Sequence, residues 1–161
     1  MLAYKETPTA FGDDNNIPES GNGIPDILDE IKYELDWLLR MQQSDGSVLS
    51  VIGGGAASPP SADTQQRLYG PATTSATYTS CSMFALGALV FNQASSTAYA
   101  TQLASASQSA WTWANANPAV TFYNSGILAA GENETNGDGL FTRQLASAVF
   151  VYDLTGNATY K

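Results

Sequence analysis

Asn16-Ile-Pro-Glu-Ser-Gly-Asn-Gly-Ile-Pro-Asp-Ile-Leu-Asp-Glu-Ile-Lys-Tyr-Glu-Leu-Asp-Trp-Leu-Leu-Arg-Met-Gln42 is the stretch from which the rest of the chain can be read. It opens with turn chemistry, Pro18, Ser20, Gly21, Asn22 and Gly23, residues that preset or tolerate bends. Ile24, Ile27, Leu28, Ile31, Leu35 and Leu38 then recur at i, i+3, i+4, i+7, i+11 and i+14, one apolar stripe along a helix. Pro25 stands where a first helical turn tolerates it. Asp26, Asp29 and Glu30 fall where the helix dipole favours negative charge, and Arg40 where it favours positive charge. The stripe needs a partner surface, so a second layer of helices is expected.

Working outward, Leu2, Ala3 and Tyr4 read as the end of a helix stopped by Pro8, and Gly12 to Asn16 as a turn in which Asp13 and Asp14 are solvated. Downstream, Ser44 to Ser47 is a turn and Val48 to Ile52 an extended piece. From Gly53 to Thr74 the chain is rich in Gly, Ala, Ser, Pro and Thr, a loop of roughly 20 residues. A helix is expected over Ala76 to Gln93; its later half, Met83 to Phe91, is apolar on every side and therefore belongs inside something. Another is expected over Thr97 to Asn117, with Tyr99, Leu103, Ala106, Ala110 and Trp113 as its stripe and Pro118 just past its end. Thr121 to Phe141 reads as an irregular connection. Arg143 to Leu154 reads as a helix with Leu145, Ala148, Val149 and Tyr152 on one face, closed by Gly156. Trp37, Trp111 and Trp113 lie within helices and are expected to fill space between them. Mixed-face helices alternating with fully apolar ones predict an all-α fold built from helical hairpins.

Composition narrows the function. With 43% hydrophobic and 13% charged residues in 161, the chain has the make-up of a folded domain or part of one. A net charge of −9 with six Lys and Arg residues excludes a phosphate-tracking basic stripe, and with it nucleic acid as partner; an anionic membrane is disfavoured in the same way. There is no histidine, so any acid–base work falls to carboxylates. The single Cys81 excludes an internal disulfide and a cysteine-based zinc site, and its apolar surroundings read as packing. The abundance of Ser, Thr, Ala, Asn and Gly with few Lys has the character of a secreted, extracellular protein. No leader sequence is expected in Met1 to Tyr4, and no run approaches a membrane span.

The segments Asn16 to Glu30, Glu34 to Gln42 and Asp45-Gly46 closely resemble glycoside hydrolase family 9, a cellulase family with an (α/α)6 barrel. Tyr69-Gly-Pro-Ala-Thr-Thr-Ser-Ala-Thr77, Ala110-Trp-Thr-Trp-Ala-Asn-Ala-Asn-Pro118 and Tyr152-Asp-Leu-Thr-Gly-Asn-Ala-Thr-Tyr160 are similar to later segments in the same order. The resemblance implies an inverting endoglucanase that cuts β-1,4-glucan, with an Asp activating water and a Glu protonating the leaving oxygen. The family's Asp base sits in an Asp-Ala-Gly-Asp motif upstream of the opening stretch, and its Glu acid lies beyond the region matching Lys161. Neither falls within this chain, so no catalytic residue is assigned. The expectation is that residues 1–161 are a partial catalytic domain, missing its N-terminal and C-terminal parts and needing the rest of the barrel.

In the barrel so implied, the cleft lies at the N-terminal ends of the inner helices, and the loops Ser47 to Ser75 and Thr121 to Thr142 border it. Sugar rings are held by aromatic faces, which makes Tyr69 and Tyr123 the candidate substrate-binding residues, with rim packing as the alternative role. Glu132, Glu134 and Asp138 form an oxygen-rich turn of the kind calcium accepts, and relatives often carry structural calcium near it; a solvated acidic loop is the alternative. No cofactor is required for the chemistry. Two further readings stay open: a non-catalytic helical scaffold or carbohydrate-binding module, and an α/α toroid enzyme acting on another glycan.

Overall fold

The computed structural model describes residues 1–54, 58–122 and 137–160. Five α-helices carry the fold: α1 (Leu2–Glu6), α2 (Asp26–Met41), α3 (Thr74–Gln93), α4 (Thr97–Ala116) and α5 (Gly137–Thr155). Two short strands, β1 (Ile52–Gly53) and β2 (Leu68–Tyr69), pair antiparallel between α2 and α3.

Helix α3 is the centre of the chain. Its apolar run buries Phe84, Ala85, Leu86, Ala88, Val90 and Phe91, with α1, α2, α4 and α5 all packed against it. Helix α2 delivers the predicted stripe: Leu28 and Leu35 are fully buried, and Ile24, Ile27, Ile31 and Leu38 pack on the same cluster. At Gly87 both neighbouring layers approach α3 closely, since a Cβ there would stand 2.9 Å from a Leu35 methyl and 3.0 Å from a Leu103 methyl. Helix α4 turns its small residues, Ala100, Ala106, Ser107, Ala110 and Ala114, towards α3 and so lies close to it. Burying each large side chain of this core is worth about 1.5–3 kcal/mol.

Directions follow from the side-chain contacts. The hydrogen bond from Cys81 Sγ to the Ser107 carbonyl (3.2 Å) and the Phe91–Tyr99 ring contact run α4 antiparallel to α3. The thiol is buried, and loss of water pushes its pKa up to about 12, so Cys81 is a packing residue as its sequence context predicts. Arg143 Nη1 donates to Thr79 Oγ1 (2.9 Å) and Ser147 Oγ to the Tyr78 carbonyl (2.6 Å), while Leu154 lies beside Ala88 and Asn92. Helix α5 therefore runs parallel to α3, and the N-terminal ends of both emerge on one side. Lys5 Nζ reaches Asp153 at 2.8 Å and ties α1 to the far end of α5.

Several boundaries and faces differ from the sequence expectation. Helix α2 starts at Asp26, with Pro25 as its extended N-cap. Helix α5 begins at Gly137, within the stretch read as an irregular connection, because Gly137 and Gly139 weaken helix propensity without forbidding a helix. It turns Ser147 and Val151 to the core and leaves Phe141, Leu145 and Val149 exposed; of the predicted apolar face, Leu145 and Val149 point outward while Ala148 and Tyr152 are half-buried. Trp37, expected between helices, is 42% exposed, whereas Trp111 is packed against Tyr78 and Tyr160 as foreseen. The roughly 20-residue loop is bounded by backbone pairing: Gly70 N–H donates to Val51 O (2.8 Å) and Ser50 N–H to Pro71 O (3.0 Å), continuing the pairing of β1 with β2. Among the described residues, no helix is long and apolar enough to cross a membrane.

Candidate functional site

The side on which α3 and α5 begin is held together by hydroxyl groups. Thr73 caps α3, its Oγ1 accepting the Ala76 N–H. Thr77 Oγ1 donates to the Thr73 carbonyl (2.7 Å) and accepts the Val48 N–H (3.0 Å), fixing the chain just after the Asp45-Gly46 turn. Thr74 Oγ1 donates to the Asn117 carbonyl and accepts the Val120 N–H (2.9 Å), fixing the segment that leaves α4. Thr73, Thr74 and Thr77 are buried, and so is Val48, whose amide would be stranded away from water without Thr77. The Tyr69 to Thr77 signature thus joins two loops to one helix start.

Tyr69 stands on this frame. It pairs with Ile52 in the β1–β2 ladder and is 59% exposed, while the next residue, Gly70, is tightly enclosed. A Cβ at Gly70 would come within 2.5 Å of Val51 Cγ1 and 3.4 Å of Phe122 Cε1. An exposed aromatic ring on a backbone held this closely suits stacking against a flat apolar face. Phe122, which backs the strand, was not singled out from sequence because it lacked any motif. Tyr123, Glu132 and Glu134 lie outside the described residues, as does the side chain of Asp138, whose backbone belongs to the first turn of α5.

The Asp45-Gly46 turn packs on α4: Gly46 has φ +94°, and a Cβ there would meet the Ser109 carbonyl oxygen at 2.5 Å. A recess of about 360 Å³ beside it is lined by Gln42, Gln43, Ser44, Gln102 and Ser109, and Tyr69 is not part of its wall.

A second polar cluster lies at the start of α2. Asp13, Asp26 and Asp29 each offer a carboxylate oxygen within 4.8 Å of the others. Asp13 accepts the N–H groups of Gly21 and Gly23, both at 2.7 Å; Asp26 Oδ2 accepts the Asn15 N–H (2.6 Å) and the Ser20 hydroxyl (3.0 Å). Asp26 is buried, at 2% exposure, and Asp13 is half-buried. Burial acts to raise the Asp26 pKa, but hydrogen bonds from Asn15 and Ser20 outweigh it and hold the group below its usual value. Reading Asp13 as a solvated turn and Asp26 as a simple helix-start acid therefore missed the cluster. The available signal was the pair of glycines between them, Gly21 and Gly23, whose φ values of +89° and +88° aim their amides at Asp13.

Parallel helices α3 and α5 joined through antiparallel α4, with α2 outside them, form part of an (α/α)6 barrel, the class to which this fold belongs. The sequence profile of glycosyl hydrolase family 9 matches residues 1–161, and the chain belongs to that family. Endoglucanase D of Acetivibrio thermocellus is 32% identical over 149 residues, which cover 89% of this chain and 23% of that protein. A xyloglucan-specific endo-beta-1,4-glucanase of Bacteroides ovatus is 59% identical over 34 residues, covering 20% of this chain and 6% of that protein. The crystal structure of a metagenome-derived family 9 endoglucanase superimposes with a TM-score of 0.87 at 31% identity, covering 99% of this chain and 29% of that one. The chain thus spans under a third of the length of these relatives.

Proposed function

We propose that these residues are part of a secreted β-1,4-glucan hydrolase of the inverting kind, supplying barrel helices and one wall of the substrate groove without performing the chemistry. The superposition of 99% of the chain on an endoglucanase carries this reading. The groove wall is the side where α3 and α5 begin, with Tyr69 as a sugar-stacking ring and the threonine-fixed loops as its support. Inversion requires one carboxylate to activate water and a second, about 6.5–9.5 Å away, to protonate the leaving oxygen. The family's Asp-Ala-Gly-Asp motif does not occur in the 161 residues, so the Asp base is contributed from outside them on this reading. Structural calcium at Glu132, Glu134 and Asp138 belongs to the same reading, supported by their oxygen-rich spacing alone.

Reducing-end release from carboxymethylcellulose tests the proposal: the 161-residue chain releases none. Turnover by the purified chain would place both catalytic groups within it and overturn the assignment. A second glycan has one observation in its favour, the 59% identity over 34 residues to a xyloglucan-specific enzyme. Comparing retention of the chain on cellulose and on xyloglucan gels separates the two substrates.

A further inference from the structure

The ribbon that carries Tyr69 presents a second side chain on the same face. Side chains alternate along a strand, so Arg67, two residues before Tyr69, shares its side of the β1–β2 ladder, about 7 Å away along the chain. Arg67 and Tyr69 are exposed, and Leu68 between them is half-buried. Between Arg40 and Arg143, Arg67 is the only Lys or Arg in the sequence.

Its guanidinium is held in a fixed orientation. Nη1 donates to the Gly54 carbonyl (2.7 Å), and Nη2 forms an ion pair with Asp63 Oδ2 (2.8 Å). The Asp63 side chain is only 3% exposed, and its Oδ1 accepts the Gln65 N–H (2.9 Å), so the carboxylate that orients Arg67 is itself locked. The Arg67 side chain, in contrast, is 51% exposed. A planar fork of five N–H donors is thus fixed from behind and open to solvent in front, beside an exposed aromatic ring.

We propose that Arg67 is a substrate-binding residue that donates to hydroxyls of a neutral β-glucan while Tyr69 stacks on a ring of the same chain, a role that rests on the groove-wall reading above. The pair with Asp63 offsets the charge of Arg67, and the chain as a whole carries −9, so the site offers directional donors without net attraction for anions. Uncharged sugar hydroxyls match it; uronate carboxylates do not.

Titrating the 161-residue chain with cellohexaose, and with cellohexaose oxidised to carboxylates at its primary alcohols, tests this by intrinsic fluorescence. The wild type binds cellohexaose more tightly than the oxidised form. Arg67→Met keeps the apolar stem, removes the donors and weakens cellohexaose binding about tenfold or more, the effect of a hydrogen bond with one charged partner. Asp63→Asn breaks the same ion pair, leaves the donors in place and weakens binding by less than about threefold. Equal losses in Arg67→Met and Asp63→Asn would reduce Arg67 to a loop staple and overturn the proposal, as would tighter binding of the oxidised ligand. Loss of affinity in Tyr69→Ala with none in Arg67→Met overturns the role of Arg67 alone; absence of cellohexaose binding by the wild type overturns the groove wall with it.

Discussion

The backbone N–H of Val48 donates to Thr77 Oγ1 at 3.0 Å, so the chain that follows α2 is held by the second turn of α3. Both groups are buried, and Thr77 Oγ1 also donates to the Thr73 carbonyl. One hydroxyl therefore couples the Asp45-Gly46 turn to the helix start that supports Tyr69.

Thr77→Val keeps the shape of the side chain and strands the Val48 amide. The expected loss is about 1–3 kcal/mol, the cost of a buried unsatisfied donor. Urea unfolding measures it directly, with Thr101→Val on the exposed face of α4 as the control that changes stability by under about 0.5 kcal/mol.

Gly46 and Gly23 share a left-handed backbone, with φ of +94° and +88°, but only Gly46 faces another chain segment. Gly23→Ala has open space and costs only the conformational penalty, about 1–2 kcal/mol. Gly46→Ala adds a collision with the Ser109 carbonyl and is expected to cost about 1–3 kcal/mol more. Equal midpoints for the two variants in the same denaturant series would show that α4 yields at this point.

Asp36 links stability to pH. Burial acts to raise its pKa, but the hydrogen bonds from Lys32 and Tyr99 and the charges of Lys32 and Arg40 prevail and lower it from the ordinary 3.8. A lowered folded-state value means that the contribution is complete above the unfolded-state pKa, near 3.8, and is lost as pH falls through the folded value. Asp36→Asn is expected to lower stability at pH 7 and to flatten the acid limb below about pH 4. Melting temperatures of both chains from pH 2 to 7 check it (a range spanning ordinary and lowered carboxylate values, about 2–4); an unchanged acid limb in Asp36→Asn contradicts it.

Legibility followed physical locality. The α2 stripe and the interior run of α3 were readable because helical spacing and hydrophobicity act over a few residues, and Leu28, Leu35, Phe84 and Phe91 are buried as their pattern predicts. The outward face of α5 was misread because Leu145 and Val149 are apolar yet turned away from α3, and spacing alone does not say which neighbour a face meets. The joining of Val48 to Thr77 and of Asp13 to Asp26 was hidden, because it depends on residues 29 and 13 positions apart meeting in the fold. Tyr69 was legible as a candidate through its motif, and the structure adds the enclosed Gly70 and Phe122 behind it.

The groove-wall assignment is tested most directly by titrating the chain with cellohexaose while following intrinsic fluorescence, for the wild type and for Tyr69→Ala. The ring is 59% exposed, so its removal is expected to leave the melting temperature within about 2 °C of wild type. Loss of one stacking platform weakens sugar binding about two- to thirteenfold, by analogy with the 0.5–1.5 kcal/mol of an aromatic contact. Equal affinity of the two chains for cellohexaose would contradict the placement of Tyr69 on the substrate side.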